Sequence, residues 1–346
     1  MAWTDLSKVD REPAFREGAR NAVAVCLKVA PGERAVLVTD RESLAIGAAM
    51  EDEFLAAGAD ISTFVLEDVA ERPMTALPPP VAEAFERATV SCYAASGQPG
   101  ELPSRMAMTA IVNRRAIRHA HMVNITPRIM VEGMRADFRK VDALCRWLLP
   151  RLAATRVFRA TSPAGTDLVA TFDPGIRWLK TSGIISPEKW GNLPGGEVLT
   201  SPARVDGVFV VDGVLGDWMA ARFGDMERHP MRIEIADSRI RRITCEREDI
   251  VEEFVRYTSQ DENSNRVGEL ALGTNVALRE PIGQILQDEK IPGLHIAFGH
   301  PYSEHTGARW RSSSHIDVVG RHFNVDLDGV AVMRDSRFLV DVDALV

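Results

Sequence analysis

What this 346-residue sequence is short of narrows its chemistry before any pattern is sought. It has four cysteines, Cys26, Cys92, Cys145 and Cys245, tens of residues apart and with no Cys-x-x-Cys pair. That spacing excludes a disulfide-built scaffold and a thiolate metal site, and it fits reduced, buried thiols in a cytoplasmic protein. Positive charge is not in excess: 41 basic against 49 acidic residues leave −8, so no field draws the chain to nucleic acid or an anionic membrane. No apolar run approaches the ~18 residues of a membrane span. The opening Met1 to Lys8 has charges from Asp5 onward and no apolar core, so no leader is expected. A Gly-x-Gly-x-x-Gly turn is missing after the first β-rich run, where Thr39-Asp40-Arg41-Glu42 stands instead, and this counts against a dinucleotide cradle of the usual kind. A Gly-x-Ser-x-Gly nucleophile elbow is missing too, and Cys26, Cys92 and Cys145 lie in apolar runs that suit buried thiols.

What is present is globular: 45% hydrophobic and 26% charged residues, in a length that favours two domains. Ala35 to Thr39 is β-rich, Ser43 to Ala57 repeats apolar residues at helical spacing, and Ile61 to Val65 is β-rich again. This is a βαβ unit. Alternation continues through a strand near Thr89–Tyr93, a helix near Arg105–Ala116, a strand near His121–Ile125 and a long helix from about Arg135 to Ala154. An α/β domain with a mainly parallel sheet is therefore expected over residues 1–155. Residues 156–346 change character. Val157–Ala160, Asp167–Phe172, Gly207–Val211, Met231–Ile235 and Ile240–Cys245 are short β-type runs, one clear helix covers Asp249 to Tyr257, and Phe323 to Val346 alternates as a hairpin around Asp328-Gly329. A mainly β domain is expected there.

Five of the eight histidines, His295, His300, His305, His315 and His322, crowd between residues 295 and 322. Imidazole is neutral and available near pH 7, so histidines mixed with carboxylates are the usual way to hold a borderline divalent ion. In the strand-like Ser314-His315-Ile316-Asp317, the two polar residues stand two apart and project from one face. They can share an ion or simply hydrogen-bond to each other. Glu197, in Gly195-Gly196-Glu197-Val198-Leu199, and Glu269, in Gly268-Glu269-Leu270-Ala271, place carboxylates inside apolar runs. A buried carboxylate costs several kcal/mol unless a cation meets it. An arginine or a metal ion would serve.

The ordered set Glu197 in Gly-Glu-Val-Leu-Thr-Ser-Pro, Glu269 in Gly-Glu-Leu-Ala-Leu-Gly-Thr-Asn, His295 in His-Ile-Ala-Phe-Gly, Tyr302 seven residues on, and His315 with Asp317 resembles the thermophilic metallo-aminopeptidase family typified by aminopeptidases T and S. The resemblance covers about residues 150–335. It implies a dinuclear site with Glu197, Glu269, His295, Tyr302, His315 and Asp317 as ligands, Glu269 bridging two divalent ions (Zn, Co or Mn), and a homodimer that hydrolyses an amide of a short peptide or small molecule. Two Glu, one Asp and a phenol inclined to ionise beside a cation supply the anionic charge such a pair needs. For proton transfer, Glu289 and His300 come first among neighbours in sequence, ahead of Glu304 and His305. Arg309 and Arg311 are candidates for clamping a substrate carboxylate. A weaker similarity points to 2,5-dihydroxypyridine 5,6-dioxygenases, in which two histidines and an aspartate hold one Fe(II); here they would be His295, His315 and Asp317. Glu197, Glu269 and Tyr302 favour the hydrolase, because one ion needs no second set of ligands. A metal-stabilised binding module without catalysis would instead have a closed coordination shell.

Overall fold

A computed structural model describes residues 4–346; Met1 to Trp3, the start of the stretch read as lacking a leader, lie outside them. The chain forms two compact units, one of residues 1–139 with 183–195 and the other of residues 140–182 with 196–346.

In the first unit the alternating pattern folds as the βαβ reading requires. Five parallel strands stand in the order Asp60–Val65, Arg34–Thr39, Val90–Ala94, Arg118–His121, Gly191–Asn192. The helix Leu44–Ala56 crosses between the first two in sequence, and Pro79–Arg87 and Leu102–Arg115 make the later crossings. Val36, Val38, Phe64, Val81, Phe85, Met108 and Val112 form the core over one sheet face. The turn that lacks the glycine motif is closed by charge. Asp40 is buried, accepts from Ser43 N and Ser96 N at 2.8 Å each, and pairs with Arg72 at 2.8 Å. Arg72 also grips Glu101 at 2.6 Å. The strand expected near 121–125 sits three residues earlier, because the chain after His121 turns away at Met122 to Ile125.

The helix Phe138–Ala154 falls almost wholly in the second unit. Two antiparallel sheets follow. The larger runs Arg239–Thr244, Met231–Ala236, Arg204–Val211, Asp167–Thr171, Val157–Thr161, Asn324–Leu327, Val330–Arg334, Arg337–Phe338. Its Asn324–Arg334 hairpin turns at Asp328 and Gly329, both with positive φ, as the Asp-Gly pair demands. The smaller sheet runs His315–Val319, Gly293–Gly299, Val267–Gly273, Glu197–Thr200, Leu179–Thr181. A short helix at Asp217–Phe223 accompanies Glu248–Tyr257 in this half. No helix among the described residues is long and apolar enough to cross a membrane.

Candidate metal centre

The smaller sheet gathers the polar residues by register. Gly273 pairs with Glu197, Ala271 with His295, Ala297 with both Glu269 and Asp317, and Gly299 with His315. Side chains alternate faces along a strand, so Glu197, Glu269, His295, His315 and Asp317 emerge on the same face. Between them stand Ala271, Ala297 and Gly273, whose small size leaves that face to the polar groups. Gly268 is the extra residue of a bulge beside Glu269, and a side chain there would strike the Gly299 carbonyl at 2.2 Å.

Two groups of three ligand atoms result, Glu197 with Glu289 and His295, and Glu269 with His315 and Asp317; within each, the atoms lie within 4.8 Å of one another. Glu269 links them. One of its oxygens stands 3.6 Å from His295 Nε2 and the other 3.8 Å from His315 Nε2. His315 donates from Nδ1 to the His300 carbonyl at 3.0 Å. A carbonyl only accepts, so in the neutral ring the Nε2 lone pair is turned toward Asp317 Oδ2 at 3.4 Å. The approach to His315 is fixed by Asp261, which accepts from Ser313 N at 2.7 Å and Ser312 Oγ at 3.0 Å.

His295 is 1% exposed, and its Nε2 makes no hydrogen bond. Glu197 Oε2 at 3.4 Å and Glu269 Oε1 at 3.6 Å flank that nitrogen. A buried ring nitrogen ringed by carboxylate oxygens just beyond hydrogen-bond reach is what a cation between them would satisfy. The donor set, imidazole nitrogens with carboxylate oxygens, fits a borderline divalent ion.

The electrostatics of these side chains say the same. Burial disfavours charge on His295, yet Glu197 and Glu269 lift its pKa to about 10. His315 is likewise lifted to about 10, against burial, chiefly by Asp317. Burial pushes Glu269 up, and pushes Glu289 up to about 8 despite Lys290. For Glu197 burial is outweighed by the Lys290 ammonium and His295, which hold its carboxyl well below the usual range. The two imidazoles favour the protonated form because carboxylates crowd them.

Tyr302 follows a left-handed residue geometry, φ 48°, and its ring lies 4.9 Å from that of His315. The residue is 37% exposed overall, but desolvation around its hydroxyl, then Glu269 and Asp317, raises that group far above the ordinary phenol value. His300 sits at the edge, its Nδ1 accepting from Tyr302 N at 3.1 Å and its Nε2 3.9 Å from Glu304. His305, Arg309 and Arg311 are exposed, and neither arginine is drawn into the two groups.

Sequence reasoning passed over Lys290. Its ammonium lies 2.7 Å from Glu197 Oε1 and 2.5 Å from Glu289 Oε1 at 1% side-chain exposure. Glu197 Oε1 also accepts from Thr181 Oγ1 at 2.6 Å. Gln287-Asp288-Glu289-Lys290 reads as a solvated polar loop, and nothing in its spacing marks it as interior.

A family model for thermophilic metalloproteases (M29) matches residues 134–324, a span that contains every residue of both groups. AmpT from Thermus thermophilus is similar in structure, with TM-score 0.69 and 18% identity over 94% of this chain and 99% of that one. The 2,5-dihydroxypyridine dioxygenase from Pseudomonas putida KT2440 is similar at TM-score 0.68 and 16% identity, over 94% and 97%. These two likenesses establish the fold. No curated protein gives a significant match to the sequence.

Proposed function

The chain belongs to the thermophilic metalloprotease (M29) family, and from that premise we propose an aminopeptidase, or a close relative cutting a small amide, that works with two divalent ions. The observation that carries this reading is Glu269, with one oxygen facing an imidazole of each three-ligand group. Glu197 and His295 would hold one ion, His315 and Asp317 the other, with Glu269 between them and Tyr302 as the sixth ligand. Zn, Co or Mn suits this mixed nitrogen and oxygen set. Bound there, the ions supply Lewis acidity to a substrate carbonyl and lower the pKa of a water toward neutrality.

The chain's own groups do the rest. Glu289, held by Lys290 beside Glu197 and His295, would accept a proton from the attacking water and return it to the leaving amine. His300, half-buried at the rim and close to Tyr302, is the second candidate for that transfer. Arg309 and Arg311 are free at the surface to meet the carboxylate end of a short peptide. The reading includes a homodimer, which light scattering would register as twice the 38.1 kDa chain, and action in the cytoplasm.

A second reading has one observation in its favour, the fold shared with a ring-cleaving dioxygenase. In that case His295, His315 and Asp317 would hold a single Fe(II). Metal analysis of protein purified without chelator, combined with an anaerobic assay on amino-acyl amides and dipeptides, separates the two. Two ions per chain and metal-dependent hydrolysis without oxygen are expected. One ferrous ion, stoichiometric oxygen uptake with a hydroxylated aromatic ring and inert amides would sink the hydrolase reading.

A further inference from the structure

The two halves of the site differ in one respect that their ligands do not reveal. Among the described residues, the basic side chains paired with Glu269 and Asp317 are the imidazoles of His295 and His315. Around Glu197 and Glu289 the chain provides a permanent cation, Lys290, hydrogen-bonded to both and shut off from water. A buried ammonium costs several kcal/mol unless its partners are charged and close, so this lysine is fixed where it is by the two carboxylates.

We propose that Lys290 is a positioning residue that acts as a built-in counter-ion, making the two metal positions unequal: it keeps the Glu197–Glu289–His295 half assembled without metal and weakens the ion bound there. The inference rests on the two-ion reading for its setting. Its logic is a charge count with every ligand in the deprotonated, metal-binding form. Glu269 faces both positions and cancels from the comparison. On the His315 side Asp317 and the Tyr302 phenolate add two negative charges; on the other side Glu197 and the neighbouring Glu289 add two, less one for Lys290. At these separations one unit charge changes a buried cation's affinity by at least an order of magnitude. Binding is therefore stepwise, with the Glu269–His315–Asp317 position filled first.

Titration of chelator-treated protein with Zn2+ alone, followed by calorimetry and by metal content after gel filtration, tests this. The wild type should take up two ions in steps separated by about tenfold or more. Lys290→Gln, which keeps a hydrogen-bond donor and removes the charge, should tighten the weaker step by about tenfold and leave the stronger one within a few-fold. Its metal-free form should melt lower than the wild type, and Zn2+ should raise its melting temperature by more. If the metal-free variant does not fold, recovery of the fold on adding Zn2+ supports the role of counter-ion, and a chain that stays unfolded in saturating Zn2+ overturns it. A weaker step that is unchanged or loosened also overturns it. Should the wild type bind a single ion, the two-ion reading fails by itself; Lys290→Gln gaining a second ion would still support the inference, and a variant that also stops at one ion would refute it.

Discussion

At the level of single residues, the site rests on Glu269, because its two oxygens serve different imidazoles. Glu269→Ala should lose both ions together, with metal content near zero and no peptidase activity, since a methyl group replaces neither bond; full metal occupancy in that variant would remove Glu269 from the bridging position. Tyr302→Phe should fold normally, because the ring can keep its place beside His315, and should weaken one Zn2+ step by about tenfold, the scale on which single partners of a metal site act. Unaltered affinity would return Tyr302 to an aromatic on a loop. The residues that announced themselves in the sequence were those whose chemistry clashed with their surroundings: a carboxylate in an apolar run, or His-x-Asp within a strand. Lys290 gave no such signal, since a lysine between Glu289 and Ile291 looks ordinary until the fold buries it.

Among the elements, the sheet that carries the ligands depends on glycines that let strands approach. Gly299 has φ 102°, and a Cβ there would lie 2.1 Å from the Ser314 carbonyl, next to the pairing with His315. Gly299→Ala should therefore destabilise the fold by about 1–3 kcal/mol and weaken Zn2+ binding at the Glu269–His315–Asp317 half, as urea unfolding and calorimetry would show; a variant with both unchanged would mean the edge strand adjusts freely. Strand and helix positions followed the polarity pattern closely: Val157–Thr161, Met231–Ala236 and Glu248–Tyr257 lie within a residue or so of where alternation or helical spacing puts them. Gly191–Asn192 was not readable, because a strand of two residues at a sheet edge leaves no period to detect.

For the molecule as a whole, stability carries an acid-sensitive component located far along the sequence from the ligands. His119 and His121 are buried in the parallel sheet, bonded in series from Ser91 Oγ to His119 Nδ1 at 2.9 Å and from His119 Nε2 to His121 Nδ1 at 3.2 Å. Burial, then nearby Arg105, lowers His121 to about 3, and burial, then His121, lowers His119 as well. An unfolded histidine takes a proton near pH 6.5 that the folded one refuses, so this stability is complete above that pH and declines as pH falls from 6.5 toward 3. Each such group contributes up to about 1.4 kcal/mol per pH unit in that window. Calorimetric melting of His121→Gln should accordingly depend less on pH between 6.5 and 5 than the wild type; an equal slope would mean the folded His121 accepts the proton. The path of the chain between the two units has a consequence for synthesis. The strand Gly191–Asn192 joins the parallel sheet beside Arg118–His121, yet residues 140–182, made before it, belong to the other unit. A nascent chain leaving the ribosome thus cannot finish its first sheet until part of the second unit has already emerged. Val267–Gly273, Gly293–Gly299 and His315–Val319 come later still, so a translating chain acquires its capacity to retain metal only after the first sheet and the earlier strands of the second unit have emerged.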